Sequence, residues 1–245
     1  MKTFFFLGIL LFLSHVSQAQ GAKPAGFDAQ QNLNSISKPY TPADNMVRTF
    51  DDRYLGFKGD PYFINQWLPT EVLNNEGVKY QPSLIKLDIY EAQEVLMKRT
   101  TGDSIILDYN KIRQISISDT VKKKIYVFRR IAEPRRQETK ADFYQVLLEG
   151  KYSLFVKRGK YVLKADFKGA YSNGIFYDEY KPTNIFYVKN ATNDALEEVK
   201  NSKKAFLKAL PNQEELLKTY IKTEKIDFDK EEDLIKLIRY YNSLL

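Results

Sequence analysis

The chain has 245 residues, no Cys, one His, and 38 Lys plus Arg against 31 Asp plus Glu, for a formal net charge of +7. The one imidazole is His15, inside an apolar leader, so everything after it lacks both imidazole and thiol. That excludes Ser-His-Asp and Cys-His catalysis as usually built, zinc, copper and haem sites that use those ligands, and disulfides.

Met1 to Ala19 reads as a secretory signal peptide. Lys2 supplies the positive end, Phe4 to Leu13 is an almost unbroken apolar run, and Ser17-Gln18-Ala19 places small residues at a cleavage site. The apolar run is too short to span the ~30 Å hydrocarbon layer. No Cys follows it to carry a lipid, and no later segment is apolar enough to cross a membrane as a helix. The mature chain is expected to begin near Gln20 and to be exported, either periplasmic or associated with the outer membrane. Most of the strand-like runs are shorter than the ~9–11 residues of a membrane barrel, and their second face carries Lys, Arg, Asp and Gln, so the chain reads as soluble. Residues 20–45 are rich in Ala, Gln, Asn, Ser and Pro without periodicity and are expected to form a flexible arm.

A β domain is expected over 46–200. Phe50 to Tyr80 holds the lone Trp67 and the turn-forming Gly59-Asp60-Pro61. Trp67 reads as a packing residue at one end of a sheet, since no polar cluster accompanies it to make a sugar-stacking site. From Leu84 to Leu163 short runs alternate apolar and polar residues, as in Ile85, Leu87 and Ile89 against Lys86, Asp88 and Tyr90. That period of two marks half-buried strands. Thr101-Gly102-Asp103, Asp108-Tyr109-Asn110, Glu149-Gly150 and Arg158-Gly159 separate the runs and read as hairpin turns. Strands joined so tightly are antiparallel. Lys168 to Asn184 is a loop rich in Tyr, including Tyr171 and Tyr177, and Ile185 to Lys189 reads as a last strand. Those rings suit either a binding loop or a cover for the sheet edge.

Over 201–245 the period becomes helical. Three short helices are expected: one around Lys203 to Leu210, one capped by Asn212 with Glu215, and one capped by Asp229 with Glu232. The predicted fold is therefore α+β. An antiparallel β meander, a roll or partly open barrel, is followed by a small C-terminal helical cap.

Few motifs carry chemistry. Asp51-Asp52 and Glu197-Glu198 are the carboxylate pairs a glycosidase would need, but adjacent acids are also common on solvated surfaces. Asp227, Asp229 and Glu231 mimic the start of a calcium loop, yet Glu232 stands where its Gly belongs and Ile238 where its bidentate Glu belongs. No metal, cofactor or catalytic residue is predicted.

Charge is the more telling signal. Lys122 to Lys168 carries 14 Lys plus Arg against 5 Asp plus Glu. Across the Arg158-Gly159 turn, Lys151, Lys157, Lys160 and Lys164 share one hairpin face with Phe155 and Val162 interleaved, and Arg129 and Arg130 lie on the preceding hairpin. The expected partner is an anionic envelope component or an envelope protein, bound through this basic β face with Tyr171 and Tyr177 nearby. Solvation and protection of a sheet edge would account for the same lysines. Nucleic acid is disfavoured for an exported chain.

The opening Met1-Lys2-Thr3-Phe4-Phe5-Phe6 with Ser17-Gln18-Ala19-Gln20 resembles the signals of Bacteroidetes-type envelope proteins. Gly59-Asp60-Pro61-Tyr62-Phe63, Trp67, Tyr80 to Tyr90 and Leu237-Ile238-Arg239-Tyr240-Tyr241-Asn242 resemble a loose family of exported, functionally uncharacterised proteins of those bacteria. The resemblance implies structural motifs and no catalytic residues. Three readings follow: a non-catalytic binder, a carrier of an apolar ligand held between curved sheet and helices, and a carboxylate-based hydrolase.

Overall fold

The computed structural model describes residues 57–90, 93–131, 142–165, 177–192 and 196–245. The leader, the arm, Tyr171, Asp51 and Asp52 lie outside the described residues. Among the described residues eleven strands form one sheet. They are β1 (Phe57–Lys58), β2 (Leu68–Asn74), β3 (Lys79–Leu87), β4 (Val95–Lys98), β5 (Ser104–Leu107), β6 (Ile112–Asp119), β7 (Lys124–Ile131), β8 (Asp142–Leu148), β9 (Tyr152–Leu163), β10 (Asp178–Asn190) and β11 (Leu196–Val199). The order is β1-β10-β9-β8-β7-β6-β2-β3-β4-β5, with β11 beside β1 on β10. All pairings are antiparallel except β1 with β10. Three helices follow: α1 (Lys203–Ala209), α2 (Glu214–Thr223) and α3 (Glu231–Ser243). The fold is α+β, a mostly antiparallel, unclosed sheet with a helical cap.

One face of the sheet carries two cores in series. Val72, Ile115, Phe128, Gln145, Val156, Phe186 and Val199 stand opposite one another from strand to strand, so they share that face. At the β2–β7 end it curls into a roll filled by Ile85, Val95, Met97, Leu107, Ile115 and Phe128, all buried. Phe63 sits edge-on to Tyr126 and Phe128, with ring centroids 5.1 and 4.9 Å away. At the β9–β11 end Tyr152, Leu154, Val156, Phe186 and Val188 are covered by Phe206, Leu217, Leu237, Ile238 and Tyr241 of the helices. Between the cores Arg158 bonds the buried Gln145 at 2.7 Å and pairs with Glu231 at the start of α3.

Two side-chain amides hold the assembly where strand pairing runs out. Gln93 accepts from the Phe143 N–H at 2.7 Å and donates to its carbonyl at 3.3 Å, tying the start of β4 to β8. Asn242 accepts from the Tyr152 N–H and donates to its carbonyl, both at 2.8 Å, fixing the end of α3 to the start of β9. Each amide supplies the donor and acceptor of a missing strand neighbour, so the main-chain groups are not buried unpaired.

Several sequence expectations change. Arg158-Gly159 is no turn: β9 runs unbroken for 12 residues and pairs with β10 throughout. Gly159 serves close approach instead, since a Cβ there would lie 3.1 Å from Thr183 Cγ2 and 3.8 Å from the Ile89 carbonyl. Asp108 caps a 3-10 helix, Tyr109–Lys111, that leads from β5 to β6, and these strands are not neighbours. Neither expected capping box forms: Gln213 and Lys230 are the N-cap residues of α2 and α3, and neither makes a side-chain capping bond. Acidic first turns, Glu214-Glu215 and Glu231-Glu232-Asp233, favour those helix starts instead.

Candidate anion-binding surface

An unbroken β9 divides the expected basic face. Strand alternation puts Lys157 with Phe155 on one side and Lys160 with Val156 and Arg158 on the other. Phe155 is buried among Tyr144, Tyr187 and Leu196 and offers no exposed ring. Lys157 pairs with Asp142. Lys160 reaches Asp60, at 3.1 Å from Oδ1 and 2.6 Å from the carbonyl. Lys164 donates to Asp178 at 2.7 Å, and Asp178 also accepts from the Ala165 N–H at 2.9 Å. That bond raises the Lys164 ammonium above its usual range and lowers the Asp178 carboxyl below its own.

On β7 one of the two arginines meets an acid and the other a backbone carbonyl. Arg129 binds Glu149 at 2.7 Å and Gln114 at 3.2 Å, and Arg130 donates to the Tyr109 carbonyl at 2.7 Å. Lys151, at the β8–β9 turn, is exposed and has no ion pair among the described residues. Tyr177 is exposed just before β10. A lysine within 4 Å of a carboxylate presents a local dipole, and its field fades within the ~8 Å screening length of physiological salt.

Unneutralised charge remains at the exposed Lys122 and Lys123 of the β6–β7 turn and gathers again on the segment that carries α1. Lys200, Lys203, Lys204 and Lys208 are exposed and have no ion pair among the described residues. From residue 200 to 213 the chain has these four lysines and no acid, a signal that was legible in the sequence. Ser202 starts α1 by accepting from the Ala205 N–H at 3.3 Å. Phe206 then anchors α1 in the core, which leaves Lys203, Lys204 and Lys208 outside.

Beside α1 lies an open cavity of about 440 Å³, lined by Lys203, Lys204, Lys208, Leu207 and Glu214. Glu214 is held by Lys218 at 2.8 Å, which raises the Lys218 ammonium above its usual range. A second cleft of about 160 Å³ lies between α1 and β9–β11, with Tyr152, Asn190, Glu197, Lys208 and Pro211 among its walls. Lys208 lines both. In the cleft the Asn190 amide donates to the Tyr152 hydroxyl at 2.9 Å, and Tyr241 donates to the Pro211 carbonyl at 2.6 Å. Burial, then the adjacent Tyr152, pushes the Tyr241 phenol upward. Glu197 stands opposite Val188 on the helix-covered face of the sheet.

The adjacent carboxylates of β11 do not converge, and the buried acids elsewhere hold turns. Glu197 and Glu198 are both exposed and, as neighbours on β11, point to opposite faces. Buried Asp88 accepts from the Tyr90 N–H at 2.8 Å, and buried Asp119 from the Val121 and Lys122 N–H groups at 3.1 and 2.9 Å. Asp227 accepts from the Asp229 N–H at 3.0 Å in the turn before α3. Among the described residues no group of three potential ligands is placed to hold a metal, and no helix is long and apolar enough to cross a membrane. Comparison with protein families, with curated proteins and with solved structures found no match to this chain.

Proposed function

We propose that this is an exported, non-catalytic envelope protein that binds an anionic partner, and that the partner meets α1 and its cavity. The leader and its cleavage-site residues support export. The observation that carries the binding reading is the contrast in pairing. Lys157, Lys160 and Lys164 of the β9 region each have a carboxylate partner, whereas Lys203, Lys204 and Lys208 line a concavity without one. Positive potential focused in a concave surface raises the local concentration of anions and speeds their capture. The apolar-carrier reading gains nothing from these two cavities, which lie against α1 and outside the roll.

The test is co-sedimentation with phosphatidylglycerol vesicles over a salt series. Reversal of α1 charge in a K203E/K204E/K208E variant is expected to abolish binding and its salt dependence. Reversal at Lys151 and Lys164 is expected to leave both nearly unchanged. The opposite pattern returns the site to β9, and insensitivity to both variants refutes an electrostatic binding role.

A further inference from the structure

Resting on that reading, we infer that the anion recognised at α1 is carried by a sugar: a phosphate over Lys203, Lys204 and Lys208, with its pyranose ring in the cleft beside them. Lys208 lines both concavities, so one ammonium can meet a ligand that reaches from the lysine-rich cavity into the cleft. The cleft is unlike the lysine-rich cavity. It offers the Glu197 carboxylate, which has no partner among the described residues, and the Asn190 amide. Asn190 is oriented by its bond to the Tyr152 hydroxyl and by accepting from the Thr192 N–H at 2.9 Å.

A carboxylate is an acceptor only and satisfies itself on donors, and vicinal hydroxyls supply two at once. The amide keeps one free N–H to give to a ring or hydroxyl oxygen. Val188, Ala209 and Pro211 line the cleft as well and give the carbon face of a ring something to rest on. Its volume, about 160 Å³, is near five waters at ~30 Å³ each, which suits one monosaccharide. Phosphate alone leaves Glu197 unused, and a carboxylate so near an anion is unfavourable unless hydroxyl donors lie between them.

The experiment is calorimetric titration of the full chain with glucose 6-phosphate, inorganic phosphate, glucose and phosphoethanolamine. Glucose 6-phosphate is expected to bind at least about tenfold more tightly than the other three, equivalent to ~1.4 kcal/mol. E197Q is expected to erase the advantage over inorganic phosphate while keeping phosphate binding, and K204E/K208E to erase both. Lipopolysaccharide that competes with glucose 6-phosphate identifies a lipid-borne sugar as the source, and absence of competition identifies a free one. Either supports the inference. Equal affinity for inorganic phosphate, or tighter binding of glucose or phosphoethanolamine, overturns the sugar and leaves the anion site standing. If no anion binds and vesicle binding ignores α1 reversal, both readings fall.

Discussion

Asn242 joins the end of the chain to the middle of the sheet, and its truncation is a quantitative test of how the cap is held. Asn242→Ala removes two hydrogen bonds of 2.8 Å to the Tyr152 main chain. Each is worth ~0.5–1.5 kcal/mol net, and a buried group left without a partner costs ~1–3 kcal/mol. Tyr152 is only 7% exposed, so little water reaches the freed N–H and carbonyl. The expected loss is ~2–4 kcal/mol. With a urea slope of ~2 kcal/mol/M this moves the midpoint down by ~1–2 M.

Gly150 makes the prediction sharper. A Cβ at Gly150 would lie 2.6 Å from Asn242 Nδ2 and 3.3 Å from the Tyr152 carbonyl. Gly150→Ala must therefore displace the amide, at a cost of ~1–3 kcal/mol. Once Asn242 is already Ala, most of that clash is gone. The double variant is expected to cost at least ~1 kcal/mol less than the sum of the singles. Urea unfolding followed by far-ultraviolet circular dichroism measures all four corners of the cycle. Additivity within ~0.5 kcal/mol, or a loss below ~0.5 kcal/mol for Asn242→Ala alone, refutes the clamp.

Gln93→Ala removes the matching clamp on Phe143 and is expected to cost ~1–3 kcal/mol and to accelerate exchange of the Phe143 amide. Phe155→Ala is expected to cost ~3–5 kcal/mol by thermal or urea melting, because the ring is buried; a surface ring would cost under ~0.5 kcal/mol. Lys203 sits in the first turn of α1, which has no acidic residue, so Lys203→Glu is expected to raise stability by ~0.3–1 kcal/mol while weakening anion binding. With Asp178, Asp227 and Asp233 held below the ordinary carboxyl range, their contribution is complete above pH ~4 and lost as pH falls through the depressed values. The raised Tyr241 phenol works in the other direction: its contribution is intact below pH ~10 and lost as pH rises through the folded value. A pH series of urea midpoints checks both limits, and Tyr241→Phe should flatten the alkaline one.

Much of the architecture is local and therefore readable. Period-two alternation at Ile85, Leu87 and Ile89 and the shift to helical stripes after Asn201 reflect burial of one face, which the sequence must encode residue by residue. What escaped was of two kinds. β2 opens on Leu-Pro and turns the polar Thr70 and Asn74 inward, and β11, Leu196–Val199, is very short with two acids at its centre, so neither stands out until its partner strand is known. Arg158-Gly159 carries a turn signal that long-range pairing overrides. Gly is compatible with a turn and with close packing alike, and only the approach of Thr183 and Ile89 decides between them.

The candidate site was overshadowed by the more basic window at 122–168 for a related reason. Counting charge in a window finds lysines but not the acids that meet them in space. Lys160 is neutralised by Asp60, 100 residues earlier, and Arg158 by Glu231, 73 residues later. In such part-buried pairs the Coulombic gain is set against the cost of desolvating both ions. Their larger consequence is to cancel the charge of Arg158 and Lys160 on β9. Between Lys200 and Gln213 no acid is present to cancel anything locally, and the fold brings Glu197 and Glu214 to the edges of the concavities without setting either against a lysine of α1 in an ion pair. If anion binding follows α1 and ignores β9, then local net charge misled and spatial pairing decided. Neutralising Asp60 and Asp142 to Asn should in that case free Lys160 and Lys157 and create a second, weaker anion-binding surface on β9, readable as added vesicle binding at low salt. No gain in those variants would mean that pairing was not what silenced the strand.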